Sequence, residues 1–270
     1  MVDAPARHHG RGGGSGDIRR SLELLWGTGE RPSRGPKPGL TLDRIVATAI
    51  GIADAEGLDA VSMRRLSTDL GTGTMSLCRY VPSKVELLDL MLDRVRGETL
   101  DAAGPHEGAD WQGAVEGMAR GDLDLFRRHP WLLKVNQART VLGPSAVRGL
   151  EAAVGALKGM GLTDPELIAV IITIQSYVTG TARTEIQTAE AVRETGLSHE
   201  AFWEGQQPYL ERAMLSGDFP RMAALSEDTF ATGFDHLAFG LRRLIDGFET
   251  LVRQRAEENA GENAGKHPEG

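Results

Sequence analysis

Ser62-Met-Arg-Arg-Leu-Ser-Thr-Asp-Leu-Gly71, Thr72-Gly-Thr-Met-Ser-Leu-Cys-Arg-Tyr-Val-Pro82 and Ser83-Lys-Val-Glu-Leu-Leu88 follow one another directly, and the two joints between them decide the fold. In the first piece Met63, Leu66 and Leu70 fall at i, i+3 and i+7, one apolar face of a short helix. Ser62 precedes that run, where its hydroxyl can accept from an orphan backbone N–H. Gly71 follows it, and a residue at ease with positive φ is what ends a helix in so sharp a turn. The second piece is a shorter helix with Met75, Leu77 and Val81 as its apolar residues. Its other side, Thr72, Thr74, Ser76, Arg79 and Tyr80, is polar. Two short helices joined at a glycine, the second polar on its outer side, make a helix-turn-helix with that face destined for a DNA major groove. Arg79 has the reach for guanine or phosphate. Lys84, near the start of the third helix, adds an ammonium to free backbone N–H groups and is expected to clamp phosphate.

Working outward, Leu42, Ile45, Val46, Ala49, Ile50 and Ala53 form a helical stripe upstream, capped by Thr41 and stopped by Gly57. This supporting helix completes a three-helix unit of about 50 residues, too small to bury much core alone. The helix opened by Ser83 continues through Val85, Leu87, Leu88, Leu90, Met91 and Val95, which couples the unit to a larger body.

The segment Ile45 to Gly57, the helix Ser62 to Gly71 and the run Leu77-x-x-Tyr80-Val81-x-x-Lys84-x-x-Leu87-Leu88 together resemble the tetracycline-repressor (TetR) family of one-component regulators. Further on, Trp131-Leu-Leu, Gly143-Pro-Ser-Ala and Phe239-Gly-Leu-Arg-Arg-Leu-Ile-Asp-Gly247 are similar to the effector-binding domain of the branch nearest the tetracycline repressor itself. The resemblance implies an all-α chain with an N-terminal helix-turn-helix head at 40–88 and an effector-binding and dimerisation body at 89–255. It implies DNA contacts by Arg64 in addition to Thr74, Met75, Ser76, Arg79, Tyr80 and Lys84. Thr41 and Ser62 are capping hydroxyls that also lie where phosphate would pass. Cys78 departs from the pattern, because the family usually places there a tyrosine whose hydroxyl reaches the DNA backbone. A redox role for Cys78 stands beside the plainer reading of an inert small residue.

Two half-sites about one DNA turn apart call for a two-fold dimer. The resemblance puts its interface on helices near 165–182 and 230–253, paired with their mates as a four-helix bundle. It also implies a small molecule held inside the body, whose binding moves the two heads out of register. Trp111, Phe126, Trp131, Gln137, Gln175, Tyr177, Arg183, Phe202 and Trp203 are the candidates for that pocket. Gln175 and Arg183 stand out, since a polar residue on an otherwise apolar helix needs a buried partner or a ligand. The tryptophans and tyrosines of the body would suit a flat aromatic effector.

Charge and composition agree with this division. The chain of 270 residues has a formal charge of −8. Residues 1–96 carry 14 Lys+Arg against 12 Asp+Glu, or +2, and residues 97–270 carry 16 against 26, or −10. An acidic body repels phosphate and confines DNA contact to one end. One cysteine excludes an intramolecular disulfide and suits a reducing cytoplasm. No signal-peptide pattern and no membrane-length apolar run is present. The seven histidines show no metal spacing, and no nucleophile elbow or phosphate loop occurs. No cofactor, metal or catalysis is expected. His129, at a helix end before Pro130, suits the negative end of the helix dipole.

Residues 1–39 form a flexible arm, disordered over 1–16, with one or two amphipathic helical turns through Ile18, Leu22, Leu25 and Trp26 that dock on the protein's own surface. Arg31, Arg34 and Lys37, spaced along the Gly- and Pro-rich stretch that follows, line either a solvated linker or an arm for the adjacent minor groove. Helices are predicted from Asp110 to about His129 and from Pro144 to Gly159. Another starts at the cap Asp164 and is apolar on many sides to Thr181, and the last runs through Phe230 and Phe234 to Leu251. Residues 189–227 look broken, with Phe202, Trp203, Tyr209 and Leu210 packing inward, and 256–270 is a frayed tail. The reading is a dimeric repressor on a palindromic double-stranded operator, released by a small-molecule effector. An activator or global regulator of the same fold, or an all-α small-molecule binder that has lost DNA binding, are the alternatives.

Overall fold

The computed structural model describes residues 18–28, 39–103, 110–136, 140–226, 229 and 234–265. Arg31, Arg34, Lys37 and Gln137, the disorder expected over 1–16 and the Phe230 start of the last helix lie outside them. Among the described residues the chain is helical throughout, with no strand. It divides into two compact units, one up to Gly159 and one from Met160.

The first unit holds α1 (Ile18–Trp26), α2 (Leu42–Glu56), α3 (Met63–Asp69), α4 (Thr74–Cys78), α5 (Lys84–Ala103), α6 (Trp111–Arg128) and α7 (Pro144–Leu157). Its core is continuous. Ile45, Leu66, Leu77, Val81, Leu87, Met91 and Val95 pack in one cluster with Leu125, Trp131 and Leu132. The helix-turn-helix therefore shares its hydrophobic interior with the end of α6 and the 3-10 turn Pro130–Lys134. This is the larger body that a three-helix unit requires.

Local chemistry explains the boundaries. Thr41 and Ser62 accept from the backbone N–H groups of Arg44 and Arg65 at 3.1 Å each, so both are N-caps. Gly71 has φ 62° at the joint of the helix-turn-helix. Asp110 caps α6 through the Gly113 N–H at 2.8 Å. For α7, Asp93 of α5 accepts from Ser145 N at 3.1 Å and Ala146 N at 3.0 Å, a carboxylate on the positive end of the helix dipole. A Cβ on Gly143 would come within 2.4 Å of that carboxylate. The Gly143-Pro-Ser-Ala stretch is thus shaped by a contact from another helix.

Helix α1 docks on α5, with Leu25 alone of the expected apolar set packed against the core. Ser21 is 1% exposed and donates to Asp89 at 2.5 Å, while Ile18, Leu22 and Trp26 remain exposed. Leu24 and Leu25 supply the packing, and Trp26 Nε1 donates to the Leu142 carbonyl at 3.1 Å.

The second unit holds α8 (Asp164–Thr195), α9 (His199–Leu215), α10 (Pro220–Ala223) and α11 (His236–Gly265). The cap of α8 is Thr163 rather than Asp164: its N–H and hydroxyl donate to Glu166 at 3.0 and 2.8 Å. The helix runs 32 residues to Gly196, which has φ 71°. Residues 199–215 are helical despite Gly205 and Pro208, and none of them is buried, so Phe202, Trp203, Tyr209 and Leu210 do not pack inward. Beyond Gln254 the last helix continues to Gly265, with Arg255 paired to Glu166 and Glu258. Tyr177 ties α8 to α11, donating to the His236 carbonyl at 2.6 Å. A Cβ on Gly240 would overlap the Tyr177 hydroxyl at 2.1 Å, so the close approach requires glycine there.

Candidate nucleic-acid interface

Two buried anchors and one hydroxyl pair fix the recognition helix. Leu77 and Val81 are fully buried in the shared core. Ser67 on α3 is buried, donates to the Arg64 carbonyl at 2.8 Å and lies 3.1 Å from Thr74 Oγ1 across the turn. The Thr72 N–H closes the turn onto the Ser67 carbonyl at 2.9 Å. These anchors and hydrogen bonds hold α4 from within the head, which leaves its outward side for another use.

That outward side carries Thr74, Met75, Ser76 and Arg79, all exposed, with Tyr80 half-buried against the core. Met75 is 82% exposed. A long apolar side chain held in water on a five-residue helix contributes nothing to the fold. Arg64, Thr41 and Ser62 are also exposed. Lys84 is exposed, and its ammonium donates to the Leu58 carbonyl at 3.2 Å, tying α5 to the 3-10 turn Leu58–Ala60. An ammonium has further donors, so this bond positions the group without exhausting it. Arg65, beside Arg64, is committed instead to Glu56 at 2.8 Å and Asp69 at 3.0 Å. Those carboxylates raise its pKa through hydrogen bonds and charge. Cys78, at the end of α4, is partly buried.

The head is joined to the rest of its unit by a polar hub that spacing alone did not reveal. His129 is 5% exposed; its Nδ1 lies 2.7 Å from Asp54 of α2 and its Nε2 3.1 Å from Glu98 of α5. Trp131 Nε1 donates to the same Asp54 oxygen at 2.7 Å, and Arg128 donates to Glu98 at 2.6 Å. The ring of His129 thus bridges two carboxylates rather than serving only the helix end. Trp131, read as a pocket candidate, is a buried member of this joint. The other pocket candidates are scattered. Trp111 is partly buried on α6, and Phe126 is partly buried against the shared core. Tyr177 spends its hydroxyl on α11, and Gln175, Arg183, Phe202 and Trp203 are exposed. The premise that Gln175 and Arg183 need buried partners fails for the single chain, because both lie on its surface.

Sequence reading passed over two charged residues inside the body. Asp122 of α6 is largely enclosed, and burial pushes its pKa up to about 6, opposed by the charge of Arg96. Arg96 of α5 is itself lowered by burial. No cluster suited to a metal ion occurs among the described residues. None of their helices is long and apolar enough to cross a membrane.

Residues 104–252 match the tetracyclin repressor-like C-terminal domain. The HTH-type transcriptional repressor DrrR1 of Streptomyces coeruleorubidus is 59% identical over 247 residues, covering 92% of this chain and 91% of the relative. The crystal structure of the Streptomyces coelicolor TetR family protein ActR in complex with actinorhodin superposes with a TM-score of 0.64 at 32% identity, covering 81% of this chain and 99% of that one. TetR from Acinetobacter baumannii, at 20% identity, a TM-score of 0.55 and coverage of 79% and 98%, shares the fold.

Proposed function

The chain belongs to the TetR family of transcriptional regulators, and we propose that it is a homodimeric repressor released from a palindromic operator by a small molecule. The observation that carries the DNA half of this reading is the outward face of α4. Its residues are not needed by the fold, and they include an exposed methionine and arginine beside the Lys84 ammonium. In this reading Thr74, Met75, Ser76, Arg79 and Tyr80 enter the major groove with Arg64, and Lys84, Thr41 and Ser62 hold phosphate. The relative at 59% identity is a repressor, and the neighbour at 32% is solved with actinorhodin. By that likeness the present chain takes an effector in its body and works in the cytoplasm.

Dimerisation is supported by the second unit. Ile168 and Ile172 are exposed on one side of α8, and Phe239 is exposed on α11. A second copy covering these residues sets two heads at the spacing of successive half-sites. Effector binding then needs only a higher affinity for the form whose heads are misaligned.

Selection of bound duplexes from random DNA by the purified protein tests the reading, and a palindromic site is the expected yield. On that site Arg79→Ala weakens binding by about 1–3 kcal/mol and relaxes one base position. Lys84→Ala weakens all sequences alike and lowers the salt slope by about one. A change of sequence preference on Lys84→Ala would contradict its assignment to phosphate.

A further inference from the structure

We propose that Met75 sets a thymine preference in the operator: its side chain packs on the 5-methyl group of a thymine that lies within about two base pairs of the base read by Arg79. The inference rests on the repressor reading and names the base chemistry at one position of its DNA partner.

Among the described residues from 39 to 136, Met75 is the one large apolar side chain left in water; the others there are buried or half-buried. The exposed apolar residues of the second unit stand in company, with Phe202, Trp203, Tyr209 and Leu210 on a single helix, and such a group suits another protein surface. Met75 stands instead among polar and cationic groups. Thr74, Ser76 and Arg79 are exposed along or just after the same short helix, and Arg64 of α3 and Lys84 of α5 are exposed as well. A lone apolar tip in cationic surroundings fits a partner that is anionic overall and offers isolated apolar groups. Duplex DNA is such a partner: it carries a phosphate at every step, and in its major groove thymine alone presents a methyl. RNA fits less well, because its major groove is closed to side chains and uracil has no methyl.

Register places the side chain on the reading face. Leu77 is fully buried, and two residues along a helix turn the chain by about 200°, so Met75 lies on the side opposite that anchor. Arg79 keeps helical geometry at the end of α4, with φ −71° and ψ −28°. It follows Met75 by four residues and therefore shares its side. Four residues advance about 6 Å along the helix axis, less than two base steps of about 3.4 Å. A base under Arg79 and a thymine under Met75 are then near neighbours in one half-site. Thr74, next to Met75, is held 3.1 Å from the Ser67 hydroxyl across the turn, which fixes the start of the helix from which Met75 projects. An unbranched, polarizable thioether settles on a methyl group without demanding one rigid geometry.

The experiment uses the full chain and the duplex it selects from random DNA. In that duplex thymine is replaced by uracil at one position of the half-site at a time, in both half-sites together, which removes the methyl and keeps every hydrogen-bonding group. Affinity is read by fluorescence anisotropy at fixed salt for the wild type, Met75→Ala and Met75→Gln. For the wild type, one such replacement close to the position that Arg79→Ala relaxes is expected to weaken binding about fourfold per half-site, or about fifteenfold for the pair, as one methyl leaves a buried contact. With Met75→Ala the same replacement should cost nothing, because the partner of that methyl is already gone. Selection with Met75→Gln, whose side chain has similar reach and a polar tip, should no longer return thymine at that position. No loss on uracil replacement with the wild type, or an equal loss with Met75→Ala, overturns the assignment. A palindromic site without a Met75-dependent thymine sinks this contact alone, whereas no selected site sinks the repressor reading on which it rests.

Discussion

The helix-turn-helix head and the second unit are both made of amphipathic helices, yet one buries its large apolar residues and the other leaves many of them exposed. In the head, Ile45, Leu66, Leu77 and Val81 are fully buried, α2 and α3 are capped by Thr41 and Ser62, and the turn is closed by hydrogen bonds. In the second unit, α9 has no buried residue, and Tyr209 and Leu215 are 74% and 87% exposed. Helix α8 keeps Ile172 56% exposed. A monomeric protein rarely leaves so many large apolar side chains on neighbouring helices in water. The contrast teaches that the head buries its apolar residues within its own unit, while the second unit leaves large apolar side chains exposed, as the proposed dimer requires.

The sharpest way to break that contrast is a charge at the proposed interface. Ile172→Glu leaves the isolated chain folded but puts a carboxylate from each copy into the contact. Sedimentation equilibrium should show dimerisation weakened by about 3 kcal/mol or more, a hundredfold in affinity. A dimer of unchanged strength would mean that α8 is covered by something else. In the head the same comparison predicts the opposite outcome: Leu66→Ala, at a site with 0% exposure, costs about 3 kcal/mol of stability. Chemical denaturation should show this in wild-type and dimer-broken backgrounds alike.

A smaller effect concerns the Asp122 carboxylate. Folding raises Asp122 from the ordinary 3.8 to about 6, so between those values the native state holds more protons than the unfolded one. Stability from this group therefore falls as pH rises from about 4 to about 6. Asp122→Asn removes the penalty and should stabilise the protein by about 2 kcal/mol at pH 8, with little gain at pH 4. Urea melts at the two pH values check it. The least effect is expected where α8 begins. Hydrogen bonds from Arg255 and from Thr163 hold the Glu166 carboxyl at about 2, below its usual 4.5. Its contribution is present above pH 4.5 and fades as pH falls toward 2. Glu166 is exposed, so Glu166→Gln should flatten the acid limb of a melting curve only slightly.

How legible each part was follows from how local its causes are. Thr41, Ser62, Gly57 and Gly71 act within a few residues of themselves, so the helix-turn-helix and its boundaries can be read from the sequence. The outward face of α4 was legible for the same reason, since once Leu77 and Val81 are assigned inward, geometry assigns Arg79 and Met75 outward. Ser21 was missed because its worth depends on Asp89, 68 positions away. Pro208 and Gly205 suggested a break, yet the capped exposed helix around them carries both. Asp122 and Arg96 look like ordinary helical surface charges, and nothing in their neighbours' identities says that α5 and α6 enclose them.

By itself, then, the sequence determined the all-α class, the order of the head helices, the caps of α2 and α3 and the face that α4 turns outward, because helical periodicity and N-cap chemistry are short-range. Tertiary structure decided which carboxylates are enclosed, that His129 and Trp131 converge on Asp54, and that α9 has no cover within its own chain. Those outcomes depend on contacts between residues tens of positions apart, and burial is a property of what surrounds a side chain rather than of the side chain's identity.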